Sequence, residues 1–128
     1  VVHELKQGRS QGIELPAVSQ LDWVEVRSPQ SRAALALVTD LGPGETEVLA
    51  LGLESHDAIL ILDDRLARRI ARARGLAVRG TLGVLLDAKR AGLIPGVGPL
   101  LDQLDALVFR LAAETRRVVL ELAGEANG

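Results

Sequence analysis

Five apolar residues in succession, Ala58-Ile59-Leu60-Ile61-Leu62, run directly into two acids, Asp63-Asp64. A short apolar run closed abruptly by charge reads as a buried strand of a parallel sheet. Ligands of α/β sheets gather at the C-terminal edges of the strands, so this strand would deliver two carboxylates to the place where such a fold does its chemistry. Just upstream, Gly42-Pro43-Gly44 breaks the chain and Glu45-Thr46-Glu47 opens an apolar helix, which puts further carboxylates in the first turn of the element leading into the strand. Acids clustered in this way point to a site for a hard cation.

The flanking sequence alternates between helical and strand patterns. Residues 1–7 read as the end of a helix released at Gly8, residues 8–12 as a polar loop, and Leu15-Pro16 as the start of a turn or short helix. Trp23-Val24-Glu25-Val26-Arg27 alternates apolar with charged residues as a half-buried strand does. Ser31 is placed to cap a helix over residues 31–39. Residues 45–55 suit a mostly buried helix, and residues 65–74 a helix with Leu66, Ile70 and Ala73 on one face and Arg68, Arg69 and Arg72 on the other, ended by Gly75. Residues 76–79 form a short strand, Gly80-Thr81 supplies a turn and a cap for a helix over residues 82–91, and two more helices follow, over about residues 100–108 and 112–123. This β-α-β alternation predicts an α/β fold with a parallel sheet and a helical C-terminal end. With 128 residues, 48% of them hydrophobic, the chain can fill one core and not two, so a single domain over residues 1–128 is expected.

Composition narrows the chemistry. One Trp, one Phe and no Tyr make base stacking an unpromising way to hold nucleic acid, and the absence of Cys removes disulfides and thiolate metal sites. No apolar stretch nears the roughly 20 residues of a membrane span and no secretory pattern opens the chain, so a cytoplasmic protein without membrane association is expected. A chain with no Met at all that opens on Val1-Val2 in mid-pattern looks like part of a longer polypeptide. The net charge of −2 hides a division: residues 65–90 carry +7, through Arg65, Arg68, Arg69, Arg72, Arg74, Arg79, Lys89 and Arg90 against Asp87 alone, and the remainder carries −9. A basic face beside an acidic cluster suits a phosphodiesterase that holds a polyanion with arginines and a metal ion with carboxylates, although an arginine-rich helix face is also what a solvated surface looks like.

Every acid has a structural use as well. Asp63 or Asp64 can cap the following helix, and since neighbouring strand residues point to opposite faces, one of them, Asp63, is the better candidate for a cation, with Asp64 capping or supporting it. Glu45 and Glu47 sit where the helix dipole favours acids; two residues apart they diverge, and Glu45 is the candidate. His3 and His56 lack a second ligand at metal spacing. No nucleophile elbow or phosphate loop is present, and Gly80-Thr81-Leu82-Gly83 is too short a match to a phosphate-binding turn to carry weight.

Gly44-Glu45-Thr46-Glu47-Val48-Leu49-Ala50-Leu51, then Ile59 through Leu62 with Asp63-Asp64-Arg65-Leu66-Ala67-Arg68, then Gly80-Thr81-Leu82-Gly83-Val84-Leu85, Ala88-Lys89, Gly92-Leu93-Ile94 and a final Ala123-Gly124-Glu125 together resemble an uncharacterised subfamily of PIN domains. The opening Val1-Val2-His3-Glu4-Leu5 is similar to the PIN helix that carries an early acid. The resemblance implies a three-layer α/β/α fold and a Mg²⁺- or Mn²⁺-dependent ribonuclease, often the toxin of a toxin–antitoxin pair, with Glu4, Glu45 and Asp63 in the catalytic and metal-holding set and Asp64 beside them. It makes RNA the substrate and an antitoxin protein a partner, and the division of charge makes Arg65, Arg68, Arg69, Arg72 and Arg79 the candidates to bind that RNA. The family's first strand, which ends in an Asp central to the metal site, has no counterpart in this sequence. An N-terminally truncated member is therefore expected, either a fragment or a chain that exchanges a strand or helix in a homodimer or larger oligomer.

Two functions of different kinds follow: a metal-dependent endoribonuclease, and a non-catalytic PIN-like module that holds nucleic acid or a protein. Apolar residues near the C-terminus, Leu100, Leu101, Leu104, Leu107 and Val108 with Val118, Val119 and Leu122, suit either a core or a groove for a partner.

Overall fold

The computed structural model describes residues 1–30, 41–107 and 111–125. The helix expected over residues 31–39 lies outside them, as does Val108. In chain order the described elements are α1 (Val2–Ser10), a 3₁₀ turn (Val18–Gln20), α2 (Pro43–Glu54), β1 (Ile59–Ile61), α3 (Arg65–Ala73), β2 (Ala77–Arg79), α4 (Thr81–Arg90), α5 (Gly98–Ala106) and α6 (Ala113–Leu122). The strands pair in parallel with Ile59 opposite Ala77, Leu60 opposite Val78 and Ile61 opposite Arg79, and α3 makes the crossover between them. The α/β class expected from the alternation holds.

Local chemistry explains the boundaries. Pro43 occupies the first turn of α2, where its missing N–H costs no hydrogen bond, so the helix starts two residues earlier than its acids suggest. Asp64 caps α3 by accepting from the Ala67 N–H at 2.8 Å. Helices α3, α4 and α6 end alike, with Gly75, Gly92 and Gly124 in the left-handed region and the next N–H returning to the carbonyl five residues back: Leu76 to Ala71, Leu93 to Ala88 and Glu125 to Leu120.

Three expectations are corrected. Helix α1 runs through Gly8 to Ser10, and the turn falls at Gly12; Leu15 packs where a β-carbon on Gly8 would lie, so that glycine serves close approach and not helix termination. Residues 23–27 form no strand. Among the described residues no neighbouring strand pairs with them, Trp23 is 79% exposed, and Glu25 pairs with Arg27 at 2.8 Å on their own segment. The strand before Asp63 is buried on one face only: Leu60 and Leu62 are inside, whereas Ile59 and Ile61 are 64% and 59% exposed.

The core has two parts. Leu49 and Ala50 of α2, Leu60 and Leu62, and Ala67 and Ala71 of α3 form one, flanked by Val48, Ile70 and Val78. Alanines at positions 67 and 71 let α3 approach closely, and they displace the Ala73 expected on the buried face. Val97, Leu101 and Val119 form the other, against which Leu82, Leu85 and Leu86 of α4 pack. Leu101, Leu104 and Val119 are therefore core or core-flanking residues, whereas Leu107, Val118 and Leu122 remain exposed. No helix among the described residues is long and apolar enough to cross a membrane.

Glu125 fastens this second part. The turn ending α6 brings its carboxylate to the N-terminus of α5, where it accepts from the N–H groups of Val97 at 2.9 Å and Gly98 at 3.3 Å, with Lys89 Nζ 3.5 Å away. Those backbone donors, Val97 first, hold its carboxyl below the usual Glu range. A depressed folded-state pKa contributes stability above the unfolded value of about 4.3 that is lost as pH falls through the folded value. Wild type is expected to exceed Glu125→Gln in stability at pH 6 and to converge on it towards pH 3, measured by urea unfolding across that range.

Candidate functional site

Four acids from four different parts of the chain line one open pocket. Glu4 comes from α1, Glu45 from the first turn of α2, Asp63 from the position two residues beyond β1, and Asp64 from the cap of α3. All four line a single open pocket of about 380 Å³, whose walls include Leu5, Val48 and Ile61. The four carboxylate candidates expected from the sequence are thus neighbours in space, although they span sixty positions of chain. Glu47 points elsewhere: it lines an adjoining cavity with His3, Pro43, Glu4 and Glu45.

Each carboxylate has an identifiable setting. Glu45 is half-buried and folds back over Gly42, the residue that precedes α2. Glu4 lies against Gly44 across the α1–α2 junction, 3.5 Å from where a β-carbon there would sit. Asp64 spends one oxygen on the Ala67 N–H. Asp63 is bound at both oxygens by Thr81, whose N–H donates to Oδ1 at 2.8 Å and whose hydroxyl donates to Oδ2 at 2.6 Å.

The role expected for Thr81, capping its own helix, is therefore corrected. Gly80 is the capping position of α4 and Thr81 the first helical residue, with its side chain turned to Asp63. The parallel register accounts for this meeting: Ile61 is opposite Arg79, so residues two further along each strand, Asp63 and Thr81, also come opposite. Strand pairing was the missing signal, because nothing local to Gly80-Thr81 announces a partner eighteen positions away.

The basic candidates divide. Arg65, Arg69 and Arg72 are exposed on α3. Arg68 is half-buried with Nη1 close over Gly80, on the Asp63 side of the helix. Arg79 donates through Nε to Asp87 Oδ2 at 3.1 Å, which neutralises it locally.

Carboxylate oxygens are the donors that Mg²⁺ and Mn²⁺ prefer, and Mg²⁺ commonly takes one or two of them and keeps several waters, so the donor set suits such an ion in kind. Among the described residues, no group of three or more acids or histidines is drawn together closely enough to hold an ion by itself.

A model of the family described as a PIN domain matches residues 1–125, including the stretch between the opening residues and Gly44 that carries none of the motifs. No curated protein and no solved structure matches the chain.

Proposed function

The chain belongs to the PIN-domain family, whose members are in general nucleases, and from this we propose that it is a metal-dependent endoribonuclease acting as the toxin of a toxin–antitoxin pair. The observation that carries the proposal is the convergence of Glu4, Glu45, Asp63 and Asp64 on one pocket. In this reading Asp63, Glu45 and Glu4 hold Mg²⁺ or Mn²⁺, with Asp64 beside them. A bound divalent ion would supply Lewis acidity, lowering the pKa of a water and offsetting charge on the scissile phosphate.

The chain's own residues do the rest. The acids concentrate negative charge that draws the ion and repels phosphate until the ion is present. Arg65, Arg69 and Arg72 offer exposed guanidiniums to the phosphates on either side, a sequence-independent hold that weakens with salt by about 0.7 in log affinity per log salt for each phosphate neutralised on a single strand. Arg68, next to Asp63, would meet the phosphate nearest the pocket. Arg79 offers a guanidinium whose charge Asp87 partly offsets.

RNA is the substrate and the cytoplasm the setting that this activity requires. An antitoxin protein and a second copy of the chain are the proposed partners, and the exposed Leu107, Val118 and Leu122 with Ile59 and Ile61 are apolar surface that either could cover.

A second reading, a module that binds RNA without cutting it, is favoured by one observation: Asp63 and Asp64 each already have a structural partner. One experiment separates the two. The protein is incubated with mixed single-stranded RNA in Mg²⁺ or Mn²⁺, with and without EDTA, at two salt concentrations. Cleavage that EDTA abolishes is the expected result. Salt-sensitive binding with intact RNA would establish the non-catalytic module instead.

A further inference from the structure

Thr81 gives both of its donors to one carboxylate, and the two bonds fix more than a contact. A carboxylate bound at one oxygen can still rotate about its terminal torsion. One bound at Oδ1 by an N–H at 2.8 Å and at Oδ2 by a hydroxyl at 2.6 Å from the same residue has its plane set. Each oxygen keeps a further lone pair, so the arrangement orients Asp63 without using up its capacity to accept.

The base of this clamp is shaped for close approach. A β-carbon on Gly80 would lie 3.2 Å from Asp63 Oδ1 and 3.0 Å from Arg68 Nη1, so the carboxylate and the cationic tip both crowd the bare Gly80 backbone. Gly80 has an ordinary φ of −87°, so what the glycine supplies is space. The clamp is also rooted in rigid structure: Leu62 N–H donates to Arg79 O at 2.9 Å just before the pair, so the two strands deliver Asp63 and Thr81 in register.

We infer that Thr81 is the positioning residue for Asp63, holding its carboxylate plane so that the remaining lone pairs face the acidic pocket when a divalent ion enters. The inference rests on the proposed metal-holding role of Asp63. Outer partners of ligating carboxylates set ligand orientation, and losing one costs about 10- to 100-fold in metal affinity or activity. A tie that merely fastened α4 to the sheet would lower the melting temperature and reduce ion affinity no further than an equally destabilising change in the core does.

The test measures Mn²⁺ affinity by calorimetry, alongside thermal melting, for wild type, Asp63→Asn, Thr81→Val and Thr81→Ser in the whole chain. Thr81→Val removes the hydroxyl and keeps the shape; Thr81→Ala, which adds no bulk, replaces it should the valine protein not fold. The expected result is a loss of about 10-fold or more in Mn²⁺ affinity for Thr81→Val and retention within about threefold for Thr81→Ser, since the hydroxyl is the group that matters. Wild-type affinity in Thr81→Val together with weakened binding in Asp63→Asn overturns the positioning role and leaves the metal site standing. Absent Mn²⁺ binding by wild type, or undiminished binding by Asp63→Asn, overturns the metal-holding reading of Asp63 and the positioning role with it.

Discussion

Asp63→Asn is expected to reduce metal-dependent RNA cleavage by more than about a hundredfold while changing the stability of the fold by less than about 1 kcal/mol. Asparagine has the shape of aspartate, and its carbonyl oxygen can still accept from the Thr81 N–H as Oδ1 does now at 2.8 Å. Its amide can donate to the Thr81 hydroxyl, which rotates to accept, so the clamp survives in outline. What disappears is one full negative charge and one oxygen donor from a pocket shared with Glu4, Glu45 and Asp64. Groups that only support a metal ligand already cost about 10- to 100-fold when lost, so removal of a ligand should exceed that range. Cleavage rates at saturating Mn²⁺, paired with urea unfolding of both proteins, make the measurement. Equal rates would end the metal-holding role of Asp63 in cleavage, and a large loss of stability without metal would turn Asp63 into a structural tie between β1 and α4.

The elements legible in the sequence are those with a local cause. Asp64 caps α3 because Asp at that place can reach the third N–H, and Gly75 ends it because the turn needs a left-handed residue; both act within four positions of where they stand. Asp63 and Glu45 stand out for a different reason, their place at a strand end and a helix start that α/β folds turn towards one edge of the sheet, whereas Glu4 is suggested only by the family resemblance. What stayed hidden depended on contacts across the chain. Trp23 to Arg27 has the alternation of a strand, but alternation only describes two faces and cannot provide a neighbour to pair with. Ile59 and Ile61 read as core because they are aliphatic, yet burial needs a layer packed against their side of the sheet, and there they stay 64% and 59% exposed. Thr81 looked like a cap until the register of two short strands set it opposite Asp63. Lys89 and Glu125, members of the motif set that suggested a nuclease, turn out to brace the Pro95 loop and the start of α5. A recurring sequence motif therefore mixes residues that do chemistry with residues that hold its scaffold, and geometry is needed to sort them.

Leu49→Ala is expected to destabilise the protein by about 3 kcal/mol, within the range of about 2–5 measured for burying an alanine in place of leucine in well-packed cores. Leu49 is 1% exposed and belongs to the cluster that joins α2 to Leu60, Leu62, Ala67 and Ala71. Relief by collapse is limited there, because the facing positions on α3 are already alanines and have no side chain to extend into the gap. For a chain of this size the loss corresponds to a fall in melting temperature of about 10 °C, read by calorimetry or circular dichroism. The same cluster fixes the start of α2 relative to the end of β1, and so Glu45 relative to Asp63. Weakened packing should therefore also loosen the pocket, and Mn²⁺ affinity should fall in the folded variant at low temperature even though Leu49 touches no ion. A loss below about 1 kcal/mol would mean that α2 does not depend on this contact and that the spacing of the two acids is set elsewhere. A full loss of stability with unchanged Mn²⁺ affinity would show that the two acids keep their spacing without a tightly packed core beneath them.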